Sequence, residues 1–171
     1  MSNISPQFAS FNSGIWKTLE NRVRKLSAKG TTHVVTGPIF RDNIKTIGDN
    51  KVTVPGYYYK VIYQPKNNIM LAFILPHLKK LKDKYLPHYA VLPSEVQNQT
   101  GIDFFSQLPD ALQTKLENRI NTDVIQKYFI NATQARGTKT KIESKQCKGI
   151  TVSGNRCSRK TRTDNYCWKH D

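Results

Sequence analysis

The chain is short of acid, of cysteine and of long apolar runs, and each shortage narrows what it can be. Its longest apolar stretch is Ile69 to Leu75, seven residues, whereas a membrane-spanning helix needs about 20. Met1 leads into polar sequence without the basic and apolar regions of a secretory leader. No membrane partner is therefore expected, and the compartment stays open. Acidic residues number 12 against 27 Lys and Arg, for a net charge of +15. That excess favours a polyanionic partner, because phosphate contacts from Lys and Arg bind without regard to base sequence and weaken with salt. With 37% apolar residues in 171, the chain suffices for one ordinary core.

Ser13 and Gly14 interrupt the first segment, and Ile15, Trp16, Leu19, Val23 and Leu26 then recur at helical spacing. The pattern predicts an amphipathic helix opening at Asn12 or Ser13 as N-cap. Asn12, Trp16, Glu20 and Arg24 fall four apart and so share one stripe of that helix. A stripe mixing Asn, Glu and Arg with Trp is neither an apolar face nor an ordinary solvated one. It marks a candidate wall of a site. Residues 33–39, 52–54, 57–63 and 69–75 are rich in Val, Ile, Tyr and Phe between Gly, Pro and Asn, which predicts strands, with a further one at 89–92. Ser94 and Asp110 would cap short helices near 95–99 and 110–120. The fold class is α+β. Tyr57, Tyr58, Tyr59 and Tyr63 read as core and sheet surface rather than as a platform for bases. Lys79, Lys80, Lys82 and Lys84 read as a solvated basic loop able to meet phosphate, and His77 and His88, each after a proline, as solvated loop residues. His33, in the apolar run His33-Val34-Val35, reads as a structural strand residue.

The run Asn3, Gln7, Asn12, Trp16, Glu20, Arg24, with Pro6 before Gln7, resembles the DNA/RNA non-specific endonucleases of the ββα-metal (His-Me finger) type. Val34-Val35-Thr36-Gly37-Pro38, Val52-Thr53-Val54-Pro55 before the tyrosines, and Thr100-Gly101-Ile102-Asp103-Phe104-Phe105 follow the family's order, from residue 2 to about residue 117. The resemblance implies a mixed sheet with packed helices and cleavage of DNA and RNA phosphodiesters with Mg²⁺. Asn12 matches the direct metal ligand, Glu20 the carboxylate acting through water, and Asn3, Gln7 and Arg24 polar residues around the scissile phosphate. A single neutral protein ligand suits Mg²⁺, which keeps much of its water.

The family's Asp-Arg-Gly-His segment, whose His is the general base, has no counterpart here: none of His33, His77, His88 or His170 follows Arg-Gly. The expectation is a chain holding the metal-ligand half of a nuclease domain, truncated or split before that segment. The alternatives are a catalytically inactive nucleic-acid-binding protein and one half of a split nuclease with a complementing N-terminal fragment. A protein inhibitor is not legible in the sequence. Loss of upstream strands would leave a sheet edge exposed beside Val34.

Composition shifts near residue 132. Residues 132–171 hold ten Lys or Arg against three acids. The organisation expected is a nuclease-type portion over 1–131, a basic linker over 132–146 and a small module over 147–171. All three cysteines lie in that module, Cys147, Cys157 and Cys167, with His170 three residues after the last. Three thiols cannot all pair within one chain, and a nearby His supplies a fourth donor for a tetrahedral Zn²⁺ site. The surrounding residues also resemble a small Cys-Cys-Cys-His module found at the ends of various bacterial proteins.

Overall fold

The computed structural model describes residues 5–40 and 45–130, with the backbone of 145–146 and 160–161. The chain divides into two compact units, Met1–Asn131 and Ala132–Asp171. In the second, the described part is one antiparallel pair, β7 (Lys145–Gln146) with β8 (Lys160–Thr161). No helix among the described residues is long and apolar enough to cross a membrane.

The first unit is built on a sheet of order β1-β4-β5-β6, formed by β1 (His33–Ile39), β4 (Tyr57–Gln64), β5 (Ile69–Pro76) and β6 (Ala90–Val91). Its pairings are antiparallel. A hairpin of β2 (Lys45–Ile47) and β3 (Val52–Val54) stands apart from it. Every residue of β4 is buried, so both sheet faces are covered at its centre. Successive side chains of a strand point to opposite faces. Tyr58 and Ile62 accordingly join Leu71, Phe73 and Leu75 in a core with Phe11, Ile15, Trp16, Leu19, Val23 and Leu26 of the N-terminal helical segment. On the other face Tyr59 meets Phe104 at 5.6 Å and Tyr63 meets Phe105 at 5.2 Å between ring centroids. β1 ends the sheet, with Val34 43% exposed.

The α+β class and the four main strand positions follow the sequence pattern. Four details differ. First, the helix does not open at Asn12 or Ser13: a helical turn, α1 (Ala9–Phe11), comes before it. The chain then passes through a widened turn, Asn12–Trp16, into α2 (Lys17–Ser27). Phe8 and Phe11 draw this earlier turn onto the core, and the Ser13 hydroxyl donates back to the Ala9 carbonyl at 2.7 Å instead of capping. Second, after α3 (Pro93–Thr100) and α4 (Asp110–Glu117) the unit closes with α5 (Thr122–Phe129), whose Ile125 and Phe129 enter the core. Third, His77 is not solvated but 5% exposed. Fourth, His88 is half-buried in a helical turn, Asp83–Tyr89, with its ring edge-on to Tyr85. Lys79, Lys80 and Lys82 are exposed as expected.

Candidate metal and phosphate site

The approach to the helix is fixed before the helix begins. The Tyr58 hydroxyl donates to the Pro6 carbonyl at 2.9 Å and accepts from Ser5 Oγ at 2.8 Å. The Gln7 side chain bonds the same hydroxyl. Burial raises the Tyr58 pKa above its usual 10.0, so the phenol keeps its proton and the bond to Pro6. His77 holds the next residue: Phe8 N–H donates to Nε2 at 2.8 Å, and the other ring nitrogen, Nδ1, lies 3.0 Å from the Pro55 carbonyl. With Nε2 accepting, Nδ1 must carry the proton and donate. The Phe8 ring stacks on the imidazole at 4.4 Å, and Phe11 and Tyr58 meet it edge-on. Burial pushes the His77 pKa below 6.5 against the opposing effect of the Pro55 bond.

Asn12 follows directly, its N–H donating to the Phe8 carbonyl at 2.9 Å. It opens the widened turn, which bends at Gly14 (φ −95°, ψ −115°). Such π-type turns insert a residue into the helical ladder and often occur at functional sites. The exact four-residue stripe therefore does not run through Asn12. It does hold from Trp16 through Glu20 to Arg24, where the helix is regular. Asn12 and Arg24 are exposed, Glu20 is half-buried and Trp16 is buried. Arg24 Nη1 donates to Asn21 Oδ1 at 2.7 Å. The turn after β5 is tied to the same helix by Thr18, whose hydroxyl donates to Asp83 Oδ2 at 2.7 Å.

Lys60 was not singled out by the sequence pattern. It is 5% exposed and shares its sheet face with Tyr58 and Ile62, the face that packs on the helix. Its Nζ donates to Thr36 Oγ1 at 2.7 Å and lies 4.6 Å from the centroid of the Trp16 ring. Burial lowers its pKa; the Glu20 carboxylate opposes that shift and the Arg24 guanidinium adds to it. Glu20 and Arg24 are therefore close enough to act on the buried ammonium. The available signal was a Lys in the middle of a strand whose flanking positions are apolar, since unpaired buried lysines are rare.

Asn12, Glu20 and Arg24 thus fall on one helical segment and Gln7 on the approach to it, with Tyr58 and His77 bonded to that approach and Lys60, held by Thr36, against Trp16. Asn3, Cys147, Cys157, Cys167 and His170 lie outside the described residues. Among the described residues no three His, Cys, Asp or Glu side chains cluster as metal ligands. What the site offers is the hard-oxygen chemistry of one exposed carboxamide and one half-buried carboxylate. This fits an ion such as Mg²⁺, which is held by few protein ligands together with water and phosphate.

Residues 1–111 match the sequence profile of the DNA/RNA non-specific endonucleases. The chain belongs to this family. It is 33% identical over 127 residues to a nuclease of Serratia marcescens, covering 70% of this chain and 47% of the relative. It is 34% identical over 122 residues to nuclease C1 of Cunninghamella echinulata var. echinulata, covering 63% and 48%. The mitochondrial nuclease EXOG of Xenopus laevis is 31% identical over 124 residues, covering 63% and 35%. A solved EndoG/EndoGI complex, described as showing the mechanism of EndoG inhibition, contains a chain that superposes with a TM-score of 0.55 at 31% identity, covering 63% of this chain and 50% of that one. The chain spans about half the length, or less, of these relatives. Residues 144–171 match a second profile, a domain of unknown function (DUF5763).

Proposed function

We propose that this chain carries the metal-ligand half of an endonuclease site that hydrolyses DNA and RNA phosphodiesters without sequence preference. What supports the reading is that Asn12, Glu20 and Arg24 fall on one helical segment inside the family match, with the buried Lys60 ammonium over Trp16 and under the influence of Glu20 and Arg24. In this reading the Asn12 carboxamide is the direct ligand of Mg²⁺ or a similar ion, and Glu20 orients its water shell. When bound, the ion supplies positive charge that stabilises the departing oxygen. Gln7 and Arg24 face the substrate phosphate, joined by Asn3. Arg24 presents an exposed cation, its Nη1 bonded to Asn21. The high net charge supplies nonspecific attraction to the rest of the nucleic acid.

The placement of two histidines supports a general base contributed by a separate segment. Both ring nitrogens of His77 are engaged. His33 packs with Tyr63 and Phe105, on the sheet face away from Trp16. His77 thus has no free ring nitrogen, and His33 lies on the opposite sheet face from the helix. This favours, as a second reading, a chain that binds nucleic acid but cleaves only with a complementing segment bearing Asp-Arg-Gly-His.

The test is cleavage of plasmid DNA and a structured RNA with Mg²⁺, with EDTA and Asn12→Ala as controls, alone and with a peptide spanning the Asp-Arg-Gly-His region of a family member. Cleavage that requires the peptide and is lost in Asn12→Ala supports the split site. Cleavage by the chain alone would place the base within it, and cleavage indifferent to Asn12→Ala would refute the assignment of Asn12. For the second unit we propose a Zn²⁺ site formed by Cys147, Cys157, Cys167 and His170, whose role is to tether nucleic acid or protein.

A further inference from the structure

We infer that Lys60 is a positioning residue for the metal-ligand helix: its buried ammonium, anchored on Thr36, fixes Trp16 at the close of the turn that Asn12 opens and one turn before Glu20. The inference rests on the metal-site reading above.

A lysine ammonium is strongly hydrated and loses that hydration when buried, a cost repaid only by good partners. Lys60 is buried with a modest set: among the described residues its Nζ has the Thr36 hydroxyl and the Trp16 ring face, and no carboxylate within ion-pair distance. Glu20 acts on it over a longer distance. An apolar side chain of similar size would suit this face of β4 better, since exchanging a buried charge for packed hydrophobic volume is often neutral or stabilising. As a fold element Lys60 is thus a poor choice.

As a positioning element it is well placed. Thr36 is its direct cross-strand partner on β1, and Trp16 closes the widened turn that Asn12 opens. One side chain therefore links β1, β4 and the helix at the junction between the two metal-site residues. The cation–π contact fixes Trp16 beside the ammonium, and Glu20 follows it by one helical turn. Without Lys60 that reference is lost, although the helix would keep its apolar packing through Ile15, Leu19, Val23 and Leu26.

The two roles separate in a pair of measurements on the full chain, Mn²⁺ binding followed by its electron paramagnetic resonance signal and unfolding in urea. In Lys60→Met, stability should be unchanged or higher while Mn²⁺ binds about tenfold more weakly, the low end of the range for residues that orient metal ligands. Thr36→Val keeps the charge but removes its anchor, and should weaken Mn²⁺ binding in the same direction by a smaller factor. A bystander cation predicts the opposite sign, because removing positive charge near a dication tightens its binding. Unchanged or tighter Mn²⁺ affinity in a folded Lys60→Met chain would overturn the inference, as would loss of stability with affinity intact. If Lys60→Met does not fold, Thr36→Val decides alone, and unchanged affinity there overturns it. Mn²⁺ binding that is indifferent to Asn12→Ala would instead remove the metal site itself, a failure recognisable in the wild-type sequence background.

Discussion

His77 gives the sharpest prediction about how the fold builds the site. Replacing it with Ala leaves the part-buried Phe8 N–H without its acceptor, which costs about 1–3 kcal/mol. The bond to Pro55 adds about 1 kcal/mol, and the stacked Phe8 ring about another 1 kcal/mol. The expected loss is about 3–5 kcal/mol, large against the few kcal/mol that hold a domain together. Urea unfolding followed by Trp16 fluorescence in a Trp168→Phe background reports the N-terminal unit. Hydrogen exchange should accelerate most at the Phe8 and Asn12 amides. Protonation acts the same way, because an imidazolium cannot accept from Phe8. Burial depresses the folded-state pKa of His77 below 6.5, so the unfolded chain takes up this proton first. Its contribution is complete above about pH 6.5 and is lost as the pH falls through the folded-state value. The His77→Ala chain should lack that component of the pH dependence. A loss below about 1 kcal/mol, or a His77 imidazole that titrates at or above the usual histidine value, would refute this reasoning.

Three other perturbations have defined outcomes. A Cβ on Gly37 would lie 2.6 Å from the Tyr59 hydroxyl and 2.7 Å from its ring, and Phe104 restrains that ring, so Gly37→Ala should destabilise by about 1–3 kcal/mol in urea unfolding, with partial rescue by Tyr59→Leu. Replacing exposed Lys79, Lys80 and Lys82 by Gln should lower the salt dependence of DNA binding, measured by fluorescence anisotropy in EDTA, by up to about 0.9 per phosphate contact removed. The same charge change at Lys45, Lys51 and Lys115 should lower it less. Elemental analysis should find one Zn²⁺ per chain, lost in Cys157→Ser, and a strong chelator should abolish the order of residues 147–171 in NMR spectra while leaving the N-terminal unit folded.

Much of the sheet was legible because its strands are rich in β-branched, aromatic and other apolar residues bounded by turn-forming residues. The helical stripe was legible because Trp16, Glu20 and Arg24 keep regular spacing. What was not legible depended on tertiary contacts. The turn at Ala9 exists because Phe8 and Phe11 find the core, a preference that overrides the capping potential of Ser13. His77 looks like a loop residue until Phe8 and Pro55, both distant in sequence, close on its two nitrogens. Lys60 reads as one charge in a basic chain; its place between apolar strand neighbours hints at burial, and the bond to Thr36 and the approach of Trp16 show what holds it there. α5 has a visible signature in Val124, Ile125, Tyr128 and Phe129, but it is short and ends just before the compositional break near residue 132.

The most direct test of the site is a Mn²⁺ titration of the isotopically labelled full chain, read as paramagnetic broadening in NMR spectra. Broadening centred on the Asn12 side-chain amide, the Trp16 indole and the backbone around Glu20, and abolished by Asn12→Ala, is the predicted result. Broadening centred on Asp103 and Glu117, or unchanged in Asn12→Ala, would contradict it.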